Sequence, residues 1–210
     1  MTDAEYFEMN RAGWDQRVKA HVESRFYDVD GFLAGATSLR EIERAELADV
    51  RGKKLLHLQC HFGLDTLSWA RRGAICTGVD ISPAAIGQAR DLAQRAQVDA
   101  EFVCSDVYGF VAGSAGPYDI VFTSYGAICW LPDLDKWAAV VASNLAPGGL
   151  FYMMLLVEEY GVEYPENEQG HPILPVFKMM EMPEHIKDEI KHHLIPGQAD
   201  LDSGPIFSIY

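Results

Sequence analysis

Basic residues are scarce in this chain. Seventeen Lys and Arg stand against 31 Asp and Glu, for a formal net charge of -14 over 210 residues. A protein that neutralises many phosphates needs a basic face, so nucleic acid and anionic membrane surfaces are not expected partners. Lys53-Lys54 and Arg71-Arg72 are the local exceptions, and they read as solvated ends of a strand and a helix. Long apolar runs are also missing. None approaches the roughly 18 residues of a membrane span, and the charged start MTDAEYFEMNRAGWDQR lacks the apolar stretch of a leader. The expectation is a soluble, cytoplasmic protein.

Cysteine is sparse too, with Cys60, Cys76, Cys104 and Cys129 widely separated in or beside apolar runs. No CxxC and no Cys/His ligand spacing occurs, so neither zinc nor a disulfide framework is indicated, and buried reduced thiols are expected. His57 and His61 are four apart, but they fall on a strand and its turn rather than on one helical face. No metal is expected.

With 49% hydrophobic residues, the chain has material for one sizeable core. Residues 1–51 read as an N-terminal helical cap. A helix runs from Asp3 to about Ala20 with Tyr6, Met9, Trp14 and Val18 among charges, then an aromatic loop, SRFYDVDGFLAGAT. Ser38 opens a second helix, with Glu41 completing a capping box. From Lys53 onward strands and helices alternate. KKLLHLQC, AICTGVD, AEFVC, YDIVFTS and GLFYMMLLV are the strands. LDTLSWARR, PAAIGQARDLAQRAQ and LDKWAAVVASNL are the helices, the last stopped by Pro147-Gly148-Gly149. The pattern predicts an α/β fold, a Rossmann-like and mostly parallel sheet with helices on both faces, over residues 52–157. Residues 158–210 read as a loop, a helix broken at Pro183 and the strand-like end PIFSIY, which completes the same domain.

The most informative stretch is Lys53 to Asp80, one βαβ unit able to hold a nucleotide-like ligand across its turn. The turn is Gln59-Cys60-His61-Phe62-Gly63, and Gly63 lets a ligand approach the backbone. Asp80, 17 positions beyond Gly63, ends the second strand. A carboxylate there accepts hydrogen bonds from a ribose diol, or caps the helix opened by Pro83, although Ser82 sits better for the cap. Asp106, after the third strand, has the same two readings, adenine contact with the Val107 N–H or a cap. Ligands in open α/β sheets bind beyond the carboxyl ends of the strands, so Ser124, Tyr125 and Gly126 should border the cavity. Trp130 either stands just behind them or packs helix on sheet.

Taken in order, LLHLQCHFGLDTLSWA, TGVDIS, CSDVYG, YDIVFTSYGAICWLPD and LAPGGLFYM resemble the motifs of class I S-adenosylmethionine-dependent methyltransferases. The likeness is to the Rossmann-like group that includes quinone-biosynthesis-type and other small-molecule enzymes, and it covers Asp3 to Val157. The resemblance implies S-adenosylmethionine as cofactor, with the turn Gln59, Cys60, His61 and Gly63 at its methionine end. It also puts Asp80 on the ribose with Ile81 against the adenine, Asp106 and Val107 on the adenine edge, and Ser124 facing the methionine moiety. Trp14 and Tyr27 would close over cofactor and substrate, or pack the cap. A general base, where the acceptor needs one, would come from Tyr125, His61 or His171.

The chain departs from the family in two places. His57 stands where an acid is usual, and Gln59 and His61 stand where glycines are usual. The C-terminus offers a single strand-like stretch where the fold normally adds two, so either an edge is left that a second copy would cover as a homodimer or the tail folds in its own way. Two alternatives remain, a non-catalytic S-adenosylmethionine-binding protein and an NAD(P)-dependent oxidoreductase. The second lacks both GxGxxG and a YxxxK pair.

Overall fold

The computed structural model describes residues 3–111 and 116–154. His171, the expected C-terminal helix and PIFSIY lie outside the described residues. Five strands form the core: β1 Lys54–Leu58, β2 Ile75–Asp80, β3 Glu101–Cys104, β4 Tyr118–Thr123 and β5 Leu145–Met153. Six α-helices accompany them: α1 Asp3–Val22, α2 Val29–Leu33, α3 Glu41–Glu46, α4 Leu64–Arg71, α5 Pro83–Ala96 and α6 Leu134–Asn144. Among the described helices none is long and apolar enough to cross a membrane.

The sheet order is β3-β2-β1-β4-β5, and each pairing is parallel. The central strand β1 is buried on both sides over Leu55, Leu56, His57 and Leu58, the pattern of a strand covered by helices on both faces. On one face Trp69 of α4 packs with Leu55, Ile120 and Phe122. On the other, Trp137 and Val141 of α6 pack with Leu56, Leu58 and Val121. The expected architecture is therefore observed. Strand order reverses between β1 and β4, so their carboxyl ends, at Gln59 and Ser124, flank a crevice.

Helix starts follow local chemistry. Ser82 caps α5 by accepting the Ala85 N–H at 3.0 Å, with Pro83 at the first helical position. Asp133 caps α6 through the Lys136 N–H at 2.9 Å. At α3 the expected cap is displaced: the helix begins at Glu41, and Glu43 reaches back to the Arg40 N–H at 2.7 Å. Ser38 instead lies 2.9 Å from the Ser68 hydroxyl, tying the cap to α4.

Other local expectations also change. The aromatic loop contains α2, because Val29 and Phe32 bury against Phe62 and Leu67. The Pro147-Gly148-Gly149 turn does not separate α6 from β5. The strand starts at Leu145 and carries the turn as an irregularity between its pairings at Tyr118 and Ile120. Arg71 and Arg72 are not merely solvated, for Arg71 donates to the Phe32 and Ala36 carbonyls and Arg72 to those of Arg44 and Ala48. Cys60 and Cys76 are buried as expected, but Cys104 and Cys129 are exposed.

Helix α1 is fixed partly by polar groups. Asp15 of α1 accepts from the Ser82 hydroxyl and from the Ala84 N–H at the start of α5. Asn10 donates to the Trp130 carbonyl at 3.3 Å. This places α1 along the carboxyl ends of the strands.

Candidate functional site

A cavity of ≈ 530 Å³ lies between the cap and the ends of β1, β2 and β4. Its size falls in the range of small-molecule and cofactor pockets. It brings together every site residue expected from the sequence that lies within the described residues: Gln59, Cys60, His61, Gly63, Asp80, Ile81, Asp106, Val107, Ser124, Tyr125, Trp14, Tyr27 and Trp130.

The turn after β1 keeps the shape of a glycine loop without its glycines. Gln59 has φ 58° and His61 φ 51°, the left-handed region that costs a side chain roughly 1–2 kcal/mol. Side-chain contacts offset this strain. Gln59 Nε2 donates to the Ala127 carbonyl at 2.8 Å, bridging the ends of β1 and β4. His61 Nε2 lies 2.9 Å from Nδ1 of His21 on α1, inside rings contributed by Trp14, Tyr27 and Phe62. Burial, reinforced by His21, holds the His61 imidazole down to about 3, so it is neutral. The buried Oε1 of Gln59 and Nδ1 of His61 have no partner among the described residues. Buried polar atoms left unpaired on a cavity wall are what a polar ligand would satisfy.

Gly63 has φ +80°, and a Cβ there would sit 2.6 Å from the Phe102 ring. Its missing side chain is therefore required by packing against β3, a structural role beside any ligand approach.

Asp80 is half-buried at the end of β2. It is engaged on both oxygens, accepting the His61 N–H at 2.8 Å and the Ser82 N–H at 2.9 Å. A carboxylate has about four acceptor positions, so two remain for a ligand. Burial raises its pKa against these two hydrogen bonds. Asp106 accepts the Gly109 N–H at 2.7 Å, which closes a turn and caps no described helix, and it also lines the cavity.

At the aromatic side Trp14 stands edge-on to Trp130 at 5.4 Å and to His61 at 5.3 Å. Tyr27 meets Phe62 at 5.0 Å. Trp130 lies on a short 3-10 helix and faces the cap, not a helix–sheet interface. Tyr125 lies under Arg40, whose guanidinium is 4.5 Å from the ring centre. Its buried hydroxyl has no hydrogen-bond partner among the described residues, and burial with Glu43 nearby pushes its pKa far up, which keeps it protonated at neutral pH.

Sequence reasoning missed Arg40 and Asp65, which both line the cavity. Arg40 makes no salt bridge among the described residues. Burial raises the Asp65 carboxyl, against a hydrogen bond from Ser38 and the charge of Arg40. Their signal in the sequence is slight, a cation just before one short helix and an acid in the first turn of another. The wall carries Asp28, Asp65, Asp80 and Asp106 against this arginine, a sign suited to a ligand with positive charge.

Comparison with known proteins agrees with this geometry. Residues 55–149 match a family model described as a methyltransferase domain. The ubiquinone biosynthesis O-methyltransferase of Coxiella burnetii (strain Dugway 5J108-111) is 30% identical over 126 residues, 56% of this chain and 53% of that protein. The chain thus spans about half the length of this curated relative. A solved structure concerned with conversion of a disulfide bond into a thioacetal group during echinomycin biosynthesis is 27% identical. It aligns with a TM-score of 0.50 over 65% of this chain and 57% of that one. A putative S-adenosyl-L-methionine-dependent methyltransferase of Methanococcus maripaludis shares the fold at 14% identity, TM-score 0.54, covering 67% of this chain and 62% of that one. Residues 55–149 of this chain are thus similar to a methyltransferase domain, and they lie within a five-stranded parallel sheet of the Rossmann-like kind.

Proposed function

We propose that the protein is an S-adenosylmethionine-dependent methyltransferase acting on a small-molecule acceptor. The observation that carries this reading is the placement of two opposite charges on one cavity wall, Asp80 at the end of β2 and, beside Tyr125, Arg40, which makes no salt bridge among the described residues. A ribose diol needs an acceptor, which Asp80 retains on its free lone pairs. An amino-acid carboxylate needs a cation, which Arg40 supplies. Asp106 and Val107 would take the adenine edge with Ile81 beside them. Gln59, Cys60, His61, Gly63 and Ser124 would border the methionine end.

When bound, the cofactor supplies an activated methyl on a sulfonium, together with its own leaving group. The chain's work is then alignment and exclusion of water. Trp14, Tyr27 and Trp130 form an aromatic wall that sheds water and favours a cation by its ring faces. His61 is neutral and engaged with His21, and Tyr125 is held protonated, so neither serves as base at neutral pH. For an acceptor that must lose a proton, Asp65 is a wall carboxyl whose burial raises its basicity and which, unlike Asp80, is not assigned to the ribose.

The acidic balance of the chain supports a partner that is not a nucleic acid. A cytoplasmic location and a homodimer complete the reading. The test is transfer of a radiolabelled methyl from S-adenosylmethionine to a panel of phenols, catechols, amines and thiols. Labelled product with one acceptor class, lost in Asp80→Ala, supports the proposal. Binding of the cofactor with no transfer to any class would leave a binding protein without catalysis.

A further inference from the structure

Behind Ser124 lies a chain of three polar side chains. His57 is 1% exposed in the middle of β1, and Thr66 is fully buried in α4. His57 Nδ1 lies 2.8 Å from Thr66 Oγ1, and His57 Nε2 lies 3.3 Å from Ser124 Oγ. Ser124 is half-buried and lines the cavity, whereas the other two do not. The His57 ring is fixed further by the edge of Phe122 at 4.7 Å. Burial alone holds this imidazole down to about 3, so it carries a single N–H.

Two arrangements satisfy that one proton. With the N–H on Nε2, His57 donates to Ser124, and the serine hydroxyl hydrogen is free to point into the cavity. With the N–H on Nδ1, His57 donates to Thr66, and Nε2 accepts the serine hydroxyl. The second arrangement turns the serine hydrogen inward and leaves both lone pairs of Ser124 facing the ligand.

We propose that His57 is a positioning residue, held by Thr66 in the Nδ1–H form, which makes Ser124 a neutral hydrogen-bond acceptor for the ammonium group of an amino-acid-bearing ligand. The inference rests on the function proposed above and identifies how this chain meets an ammonium where β1 carries a neutral imidazole. An ammonium offers donors only, so a Ser124 with both lone pairs free matches it better than one that spends a lone pair on His57 and turns its hydrogen to the cavity.

The test has two arms. Two-bond proton–nitrogen NMR of the ligand-free, full-length chain reads the His57 tautomer without any cofactor. The Nδ1–H pattern, constant between about pH 5 and pH 8, is expected. An Nε2–H pattern or an imidazolium overturns the proposal. The second arm is calorimetry with S-adenosylhomocysteine and with 5′-methylthioadenosine, which has the same nucleoside but no amino-acid end. Ser124→Ala and His57→Leu should weaken S-adenosylhomocysteine by about tenfold while 5′-methylthioadenosine stays within about twofold. His57→Gln, which returns an acceptor towards Ser124, should recover part of the loss. Equal weakening of both ligands, or of neither, overturns the positioning role, and Ser124→Ala decides it if His57→Leu does not fold. If the unaltered chain binds neither ligand, the cofactor reading fails and the tautomer still decides the relay.

Discussion

The carboxylate of Asp80 accepts the backbone N–H of His61 at 2.8 Å. The end of β2 therefore holds in place the turn that follows β1. One acid serves two purposes, pinning a left-handed residue in the loop and presenting its remaining lone pairs to the cavity. The two purposes separate under substitution. Asp80→Asn keeps an acceptor oxygen, whereas Asp80→Ala removes both oxygens and frees the loop. Loss of a charged hydrogen-bond partner is worth about 1.5–3 kcal/mol, so Asp80→Ala should weaken S-adenosylhomocysteine by roughly 10- to 100-fold, with Asp80→Asn in between. Calorimetric titration reads the order. Unchanged affinity in both variants would remove Asp80 from the ribose.

Arg40 is assigned to the opposite end of the ligand. Arg40→Met keeps much of the stem that lies over Tyr125 and deletes the charge. The variant should lose roughly tenfold or more in affinity for S-adenosylhomocysteine and little for 5′-methylthioadenosine. A matching loss for both compounds would assign Arg40 to shaping the wall.

Glu43 gives a pH signature. It is 1% exposed, and burial pushes its carboxyl up to about 7 against the hydrogen bond from Arg40. Its folded-state pKa lies above its unfolded value, so the folded protein binds the proton more tightly. Stability from this group is present below the unfolded pKa and is lost as pH rises towards about 7. The loss is on the order of 3 kcal/mol. Thermal melts across that window should therefore fall more steeply for the unaltered chain than for Glu43→Gln. Parallel slopes would show that Glu43 is not the group responsible.

Gly63→Ala tests the packing account of the loop. The new Cβ would meet Phe102 at 2.6 Å from a residue at φ +80°. Left-handed strain and overpacking together predict destabilisation of about 2–4 kcal/mol. Shortening the ring in Gly63→Ala/Phe102→Leu should recover part of it in chemical denaturation. No recovery would mean the cost is backbone strain alone.

The sheet was legible because β1, β2 and β4 are apolar runs followed by or ending on a polar residue, Gln59, Asp80 and Ser124, and a buried parallel sheet favours apolar runs. The site was legible at Asp80 and Ser124 because strand ends declare themselves in order along the chain. The cap was harder. Helix α1 docks through Asp15, Asn10 and His21 as well as through Trp14 and Val18, and its Met9 is exposed, so apolar periodicity marked only part of the docking face. Ser38 was read as a local cap, but its partner Ser68 is 30 positions away, a distance no local rule reaches. Arg40 and Asp65 escaped notice because each sits in ordinary sequence beside a helix start, and only the tertiary fold turns both to one cavity.

The central claim is that this cavity holds S-adenosylmethionine, and the most direct measurement is calorimetric titration of the chain with S-adenosylhomocysteine beside NADH. The account predicts saturable, one-to-one binding of the former, weakened in Asp80→Ala, and none of the latter. A folded sample that binds NADH, or that fails to bind S-adenosylhomocysteine, would contradict it.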